Sequence, residues 1–222
     1  MSENTENTEN ENVGKNVWKG KPFEEVLAAA NQGDAAALFE LGYWYEFGEE
    51  DEKDGAPKKD ENKARESYEK AALLGYRNAQ YETGRCYMNG TGVAEEDYDT
   101  AIRWFHLALD QGDEDSYTAI GNCYEEKGDQ KTALTWFEEG AKRGNLYAQR
   151  REATFYRNGW GVKKDLDKAL ERYQAIKAAG RINVDDEIKE IWKEQGRCAR
   201  CGGKFKGLFS KVCSACGWKK DY

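Results

Sequence analysis

Four of the six cysteines fall near the end of the 222-residue chain, in two C-x-x-C pairs. The first pair is Cys198 and Cys201, the second is Cys213 and Cys216, and eleven residues separate the pairs. A C-x-x-C pair turns back on a tight, often glycine-assisted loop, so two such pairs can complete a tetrahedral set of four thiolates. Four protein ligands leave no open coordination position for a substrate. The spacing therefore predicts one structural Zn²⁺ and no catalytic metal.

Two other uses of these cysteines fit less well. A thioredoxin-type redox pair has one C-x-x-C within a βαβ unit, and the sequence offers no such context. A rubredoxin-like iron site has the same four-sulfur geometry, but the linker here is short and nothing supplies an electron-transfer partner. The segment Arg197–Tyr222 resembles a short zinc ribbon, and this resemblance implies a closed structural site.

The cysteine segment is basic, whereas the whole chain has a formal charge of −8. From residue 197 onward there are seven Lys and Arg residues and one Asp. With Phe205, Phe209 and Trp218 among them, these cations could hold RNA or DNA through phosphate contacts and base stacking. The same composition also fits a small domain whose lysines keep it in solution and whose aromatic side chains form its core. An acidic protein partner, or the acidic remainder of this chain, is a third candidate for the basic surface.

The rest of the chain is a repeat of two short helices, which must position any binding side chains. A small residue and a tyrosine recur together four times, at steps of 42, 37 and 32 residues. In each copy a second stretch carries apolar residues at the helical spacing. One helix pair cannot bury its apolar face alone, so the copies are expected to stack into an all-α solenoid. The copies are Leu41-Gly42 with Tyr45, Thr83-Gly84 with Tyr87, Ile120-Gly121 with Tyr124, and Glu152-Ala153 with Tyr156.

This pattern resembles the Sel1-like repeat, a relative of the tetratricopeptide repeat. The segments Asn89–Val93 and Asn158–Val162 match its N-G-x-G-V loop, and Asp60 and Asp165 open its second-helix pattern D-x-x-K-A. The resemblance covers roughly residues 22 to 180, and it implies four helix pairs and a role as a scaffold that assembles protein partners. The third copy lacks the glycine loop, and the fourth has Glu152 where the family pattern has Leu.

These patterns divide the chain into four parts. Residues 1–20 are predicted to be a disordered polar tail, because they cannot bury enough apolar surface to offset the entropy of ordering. Residues 21–181 form the repeat solenoid, with a helix over residues 22–32 covering its first end. Residues 182–196 form a capping helix and linker, and residues 197–222 form the zinc ribbon.

Two further features have plain structural explanations. The charged insertion Glu49–Lys59 lacks the EF-hand spacing and its central glycine, so it is predicted to be a surface loop and not a calcium site. Cys86 and Cys123 each precede a repeat tyrosine, and no cysteine stands in a second helix to bridge them. They are therefore predicted to be small buried hydrophobic side chains.

The first helices of such repeats line a surface where partners usually bind. By analogy with tetratricopeptide repeats, outward positions of these helices are predicted to hold a protein or peptide ligand. Asn and Arg side chains on such a surface can fix a peptide backbone or a carboxylate. The predicted partner-binding residues are Phe39, Tyr43, Phe47, Tyr81, Arg85, Asn89, Asn122, Glu126, Arg150, Arg157 and Asn158.

Catalysis finds little support in the sequence. His106 is the only histidine, and no Ser or Cys has an activating partner that the sequence identifies. Ser67-x-x-Lys70 matches one β-lactamase motif, but the companion S-D-N and K-T-G motifs are absent. The chain has no apolar run long enough for a membrane helix and no secretory leader pattern. We therefore expect a non-enzymatic cytoplasmic adaptor that does not insert into membranes.

Overall fold

The computed structural model describes residues 17–48, 57–205, 213–217 and 219. Within these residues the regular structure is α-helical, with one isolated antiparallel bridge between Phe205 and Cys213. The ten helices are α1 (Phe23–Asn31), α2 (Ala35–Phe47), α3 (Glu61–Leu73), α4 (Arg77–Asn89), α5 (Tyr98–Asp110), α6 (Asp115–Glu126), α7 (Gln130–Lys142), α8 (Leu146–Asn158), α9 (Leu166–Ala179) and α10 (Asp185–Glu194). The prediction of an all-helical repeat is confirmed.

The chain divides into two compact units, one ending at Lys127 and the other beginning at Gly128. The first unit contains α1 to α6, in which each helix packs against the next along the chain. The second contains α7 to α10 and the cysteine segment, and again each helix packs against its successor. Of the predicted tail over residues 1–20 and the predicted loop over residues 49–59, residues 1–16 and 49–56 lie outside the described residues. Residues 17–20 form a turn, from which the Trp18 indole N–H donates to Asp34 (3.1 Å), so this end of the predicted disordered tail is ordered.

A repeated aspartate sets the start of the second helix in each pair. The side chains of Asp60, Asp97, Asp129 and Asp165 each accept a hydrogen bond from the backbone N–H three residues later. This bond satisfies one of the donors that a helix N-terminus leaves unpaired. The D-x-x-K-A pattern of the sequence is thus a helix cap followed by the first buried alanine.

The two glycines of the N-G-x-G-V loop have different roles. Gly90 takes a left-handed conformation (φ 71°) that ends α4, which costs glycine little because it has no Cβ. Gly92 lies directly against the Glu61 carbonyl at the start of α3, where a Cβ would clash, and its own carbonyl accepts a hydrogen bond from Arg65 Nε (2.8 Å). The first glycine therefore terminates a helix, and the second lets the loop close onto the preceding helix pair.

In the first two pairs, a glycine of the first helix packs against an aromatic ring of the second helix. A Cβ added to Gly42 would lie 2.5 Å from Tyr68, and one added to Gly84 would lie 2.6 Å from Phe105. Both rings are fully buried. Side chains in such a core are packed at the density of a crystal, so the two helices approach as closely as glycine permits.

The described helices include none that is both long and apolar enough to cross a membrane. Cys86 and Cys123 are buried, as predicted, and burial raises the pKa of both thiols to about 12. Both are therefore uncharged at neutral pH.

The Gly84 contact gives the first prediction. Gly84→Ala should lower the free energy of unfolding by about 1–3 kcal/mol, because the new methyl group overpacks the Phe105 ring. The higher helix propensity of alanine, worth about 1 kcal/mol, offsets part of this loss. Urea denaturation followed by circular dichroism measures the change.

Phe105→Leu provides the matched control, since it removes the ring edge that Gly84 faces. In the double variant, Gly84→Ala should cost less than it does beside Phe105. Equal costs in both backgrounds would show that the close contact does not explain the glycine.

Candidate metal centre and first-helix surface

The four predicted cysteine ligands come together in the second unit. The Sγ atoms of Cys198, Cys201, Cys213 and Cys216 all lie within 4.8 Å of one another. The Sγ–Sγ distance is 3.7 Å between Cys198 and Cys216 and 3.5 Å between Cys201 and Cys213. Tetrahedral coordination with metal–sulfur bonds of about 2.3 Å places sulfurs about 3.8 Å apart. The cluster therefore has the dimensions of a four-thiolate metal site.

Glycine-assisted turns hold the cysteines in this arrangement. The N–H of Gly202 donates to the Cys198 carbonyl (2.7 Å), and that of Gly217 donates to the Cys213 carbonyl (3.0 Å). Both glycines have φ of 69°, the left-handed conformation that each turn requires. Ser214 links the two turns, since its N–H and hydroxyl both donate to the Lys204 carbonyl. The cluster is thus positioned by backbone hydrogen bonds.

The backbone also favours a thiolate at one of the four positions. The backbone N–H groups of Cys216 and Ala215 point at Cys213 and lower the pKa of its thiol to about 6. At Cys201 the N–H of Gly203 favours the thiolate, but neighbouring thiols, Cys216 first, outweigh it and raise the pKa to about 12. Metals bind the thiolate form. The Cys213 sulfur is therefore prepared for metal binding, whereas the Cys201 thiol would release its proton to solvent when a metal binds.

The first cysteine turn packs against α10. Gly202 lies on the Trp192 ring so closely that a Cβ at this position would clash. Arg197 joins the two elements, because its N–H donates to the Trp192 carbonyl (2.6 Å) and its Nε donates to the Gly202 carbonyl (2.5 Å). The position of the cysteine cluster is therefore coupled to the position of α10.

In the first unit, the predicted partner surface has an exposed aromatic pair. Tyr43 is 50% exposed and Phe47 is 60% exposed, and their ring centroids lie 4.6 Å apart. Phe39 and Tyr81 have a different environment, since both are half-buried in the repeat core. Phe39 packs 5.3–5.5 Å from the rings of Tyr76 and Tyr68, and Tyr81 packs 5.4 Å from Phe105. The structure thus leaves Tyr43 and Phe47 as the exposed aromatic members of the predicted set.

Charged groups lie beside this aromatic pair. Arg85 pairs with Glu82 (2.7 Å) and approaches Glu46 (3.8 Å), and Glu46 also accepts a hydrogen bond from the Tyr68 hydroxyl. Burial raises the pKa of Glu82. The remaining predicted residues of this unit are polar and at least partly exposed; they are Asn89, Asn122 and Glu126.

In the second unit, α10 engages the predicted partner-binding arginines of α8. Arg150 donates to Glu187, and Arg157 donates to Glu194 (2.8 Å from Nη2). Lys164 also contacts Glu194 (2.8 Å), whereas Asn158 is exposed. Both arginine–glutamate pairs are 37 residues apart in sequence. This equal separation could have indicated from the sequence that both arginines pair with α10, but the sequence prediction missed it.

Other predicted features have less chemistry to offer. The Ser67 hydroxyl is buried and donates to the Lys63 carbonyl (2.7 Å), while Lys70 lies exposed on the same helix. The Ser-x-x-Lys match is thus ordinary helix packing. His106 is half-buried on α5. In the basic tail, Phe209 and Trp218 lie outside the described residues.

Helix pairs with aspartate caps, in which a small residue packs against an aromatic ring, define a helical-repeat protein of the tetratricopeptide-like class. The chain belongs to the Sel1 repeat family, whose model matches residues 35–76, 77–113, 120–145 and 146–174. The four matches confirm the four predicted repeats.

Three relatives illustrate this similarity. The chain is 29% identical over 195 residues to the chitin synthase regulator SKT5 of Saccharomyces cerevisiae; the match covers 83% of this chain but only 26% of SKT5. A Sel1 repeat protein from Oxalobacter formigenes has a TM-score of 0.66 and 30% identity, covering 78% of this chain and 68% of the other. The protective antigen c5321 of uropathogenic Escherichia coli has a TM-score of 0.64 and 29% identity, covering 78% of this chain and 36% of the other.

The pairing of Glu194 gives a prediction about acid stability. Hydrogen bonds from Lys164 and then Arg157 lower the pKa of Glu194 below its ordinary value of 4.5. A lowered folded-state pKa means that the contribution to stability is present above pH 4.5 and is lost as the pH falls through the folded pKa. The contribution should be at most about 1 kcal/mol, because the pair is partly exposed.

Hydrogen exchange of α10 at pH 6 and pH 3.5 measures this effect. The acid-induced loss of protection, corrected for the pH dependence of the intrinsic exchange rate, should be smaller in Glu194→Gln, which has no charge to lose. Glu190→Gln on the same helix is the control, since among the described residues Glu190 pairs with Lys193 of its own helix. If both variants respond to acid as the unmodified protein does, the ion pairs do not hold α10.

Proposed function

We propose that the protein is a non-enzymatic scaffold that binds a protein or peptide through the first-helix surface of its first unit. Sel1 repeats generally mediate protein–protein interaction, so the family supports this class of function. The observation that carries the proposal is the exposed pair Tyr43 and Phe47, whose rings are in contact. Aromatic side chains dominate the energy of protein interfaces because they bury a large area at a low entropic cost.

The surroundings of this pair indicate what would bind there. An apolar side chain of the partner would cover the two rings and remove their apolar area from water. Arg85 and Glu82, together with the amide of Asn89, could fix the partner's polar backbone through hydrogen bonds. We therefore propose an extended or helical peptide segment with a central apolar anchor as the ligand.

The predicted partner-binding arginines of the second unit are not part of the proposed binding surface. Arg150 and Arg157 already pair with the carboxylates of α10, and a partner would have to displace these pairs to reach them. We assign them to holding α10 and assign partner binding to the first unit. The relative SKT5 is named as a regulator of another protein, which is in keeping with a binding role, although this chain spans about a quarter of it.

Variants of the aromatic pair test the proposal. Partners captured by the full chain would be identified by mass spectrometry and purified, and their dissociation constants would be measured by isothermal titration calorimetry. Tyr43→Ala with Phe47→Ala should weaken binding at least about tenfold, which corresponds to about 1.4 kcal/mol. The loss reflects removal of the apolar contact at the centre of the interface.

Leu73→Ala with Leu107→Ala is the matched control, because these exposed apolar residues lie on second helices. This variant should bind with unchanged affinity. A partner that binds the Tyr43 and Phe47 variant as tightly as the unmodified protein would exclude the proposed surface.

We also propose that the four-cysteine cluster binds one Zn²⁺. The donors are all sulfur, their spacing suits a tetrahedral ion, and a fully protein-coordinated site suits a structural metal. The ion would hold the two cysteine turns together and thereby fix the first turn against Trp192. Nucleic-acid binding by the basic tail remains a prediction from the sequence.

Metal analysis tests the zinc proposal. Full-length protein purified without added chelator should contain about one zinc per chain, and Cys201→Ser with Cys216→Ser should contain almost none. Cys86→Ala with Cys123→Ala should keep the metal, because these thiols lie apart in the first unit. Iron in place of zinc, or an equal loss of metal in both variants, would contradict the proposal.

A further inference from the structure

A cavity of about 430 Å³ lies between α7, α8 and α9 of the second unit. Its volume is within the range of small-molecule sites, which is about 300–1,000 Å³. Its lining is strongly charged and carries both signs. The polar lining residues are Glu138, Lys142, Gln149, Glu152, Lys168 and Arg172.

The innermost of these groups replaces an uncharged core residue. Glu152 occupies the first-helix position that Leu41, Thr83 and Ile120 occupy in the other repeats, and all four residues are buried. Only 3% of Glu152 is exposed. The departure of the fourth repeat from the family pattern thus places a carboxylate in the core.

The partner of Glu152 departs from the repeat in the same way. Arg172 directly precedes the core aromatic Tyr173, and tryptophan stands at that position in the second and third repeats, as Trp104 and Trp136. Arg172 Nε donates to Glu152 Oε1 at 3.1 Å. The Glu152 side chain is 4% exposed and the Arg172 side chain is 41% exposed, so the pair joins a buried carboxylate to a partly exposed guanidinium. Taking a carboxylate out of water costs free energy that a single ion pair seldom offsets, so packing alone gives no reason for this exchange.

Both members of the pair have hydrogen-bonding capacity to spare. Among the described residues, Glu152 accepts one hydrogen bond, which comes from Arg172 Nε. The Nη atoms of Arg172 donate no hydrogen bond to these residues. Burial raises the pKa of Glu152, because a surrounding of low polarity disfavours the charged carboxylate. A buried carboxylate with one protein donor and a partly exposed guanidinium whose Nη groups donate to no described residue thus meet at one cavity.

The rim groups are already partly engaged. Glu138 accepts a hydrogen bond from the Tyr156 hydroxyl (2.6 Å), and Lys168 lies 3.7 Å from the centre of the Tyr156 ring. Lys142 pairs with Glu139 outside the cavity. These groups surround the opening with both charge signs, so a simple anion or a simple cation would meet a like charge on entry.

We propose that this cavity binds a free α-amino acid, whose ammonium group donates to Glu152 while its carboxylate accepts from Arg172. A zwitterion supplies a donor to the carboxylate and an acceptor to the guanidinium at the same time. It also adds no net charge to the cavity, so neither Glu138 nor Lys168 opposes its entry. This small-molecule site goes beyond the proposed scaffold function and lies in the other unit.

Nuclear magnetic resonance titration of the ¹⁵N-labelled full chain tests this site. The standard amino acids would be added one at a time, and at least one should shift the amide signals of α8 and α9 with a dissociation constant below about 1 mM. The N-acetyl and the carboxamide derivatives of that amino acid should each bind at least about tenfold more weakly, since each lacks one of the two charges. Absence of binding by all amino acids at about 10 mM, or equal binding of the derivatives, would overturn the proposal.

Variants that restore the pattern of the other repeats provide the structural control. Glu152→Leu with Arg172→Trp should fold with at least the original melting temperature and should lose amino-acid binding. Glu152→Gln, which keeps the side-chain shape, should also weaken binding even if the double variant does not fold. Glu139→Gln on the neighbouring surface should bind normally. Retained binding in Glu152→Gln would overturn the role of the buried carboxylate.

Discussion

The close approach of a small residue to an aromatic ring controls the packing of the first two helix pairs. Gly42 lies against Tyr68 and Gly84 lies against Phe105, at separations that leave no room for a Cβ. Because the two helices of a pair are so close, their outward residues form a surface of fixed geometry on which Tyr43 and Phe47 are exposed together. The proposed partner surface is thus a product of the same packing that forms the core.

In the second unit, ion pairs connect the repeat to the last helix. Arg150 and Arg157 of α8 are paired with carboxylates of α10, and α10 in turn carries Trp192, on which the first cysteine turn rests. These contacts connect the repeat, the last helix and the candidate metal cluster in one series. A metal bound by the four thiolates would therefore stabilise the position of α10 as well as the cysteine turns.

The fourth repeat differs from the other three at one repeat position in each of its two helices. A buried glutamate and its arginine stand at positions that carry no charge in the other three copies, and a cavity lies beside them. Because the other copies are uncharged at these positions, the charged pair fits the proposed binding site better than a role in stability. The repeat architecture made this departure visible, because each copy serves as a reference for the others.

Local physics explains most of what could be predicted before the structure. Helix periodicity, aspartate caps and left-handed glycines act within a few residues, and they defined the helix pairs and their boundaries. The C-x-x-C turns are equally local, so the clustering of the four cysteines could be predicted from their spacing.

Side-chain environments that join distant segments were not accessible in this way. The engagement of Arg150 by Glu187, the burial of Phe39 and Tyr81, and the cavity beside Glu152 all require helices that meet only after folding. Which face of a helix stays open is a property of its neighbours and not of its own residues. The sequence therefore determined the repeats and the spacing of the four cysteines, while tertiary packing determined which side chains remain free to bind.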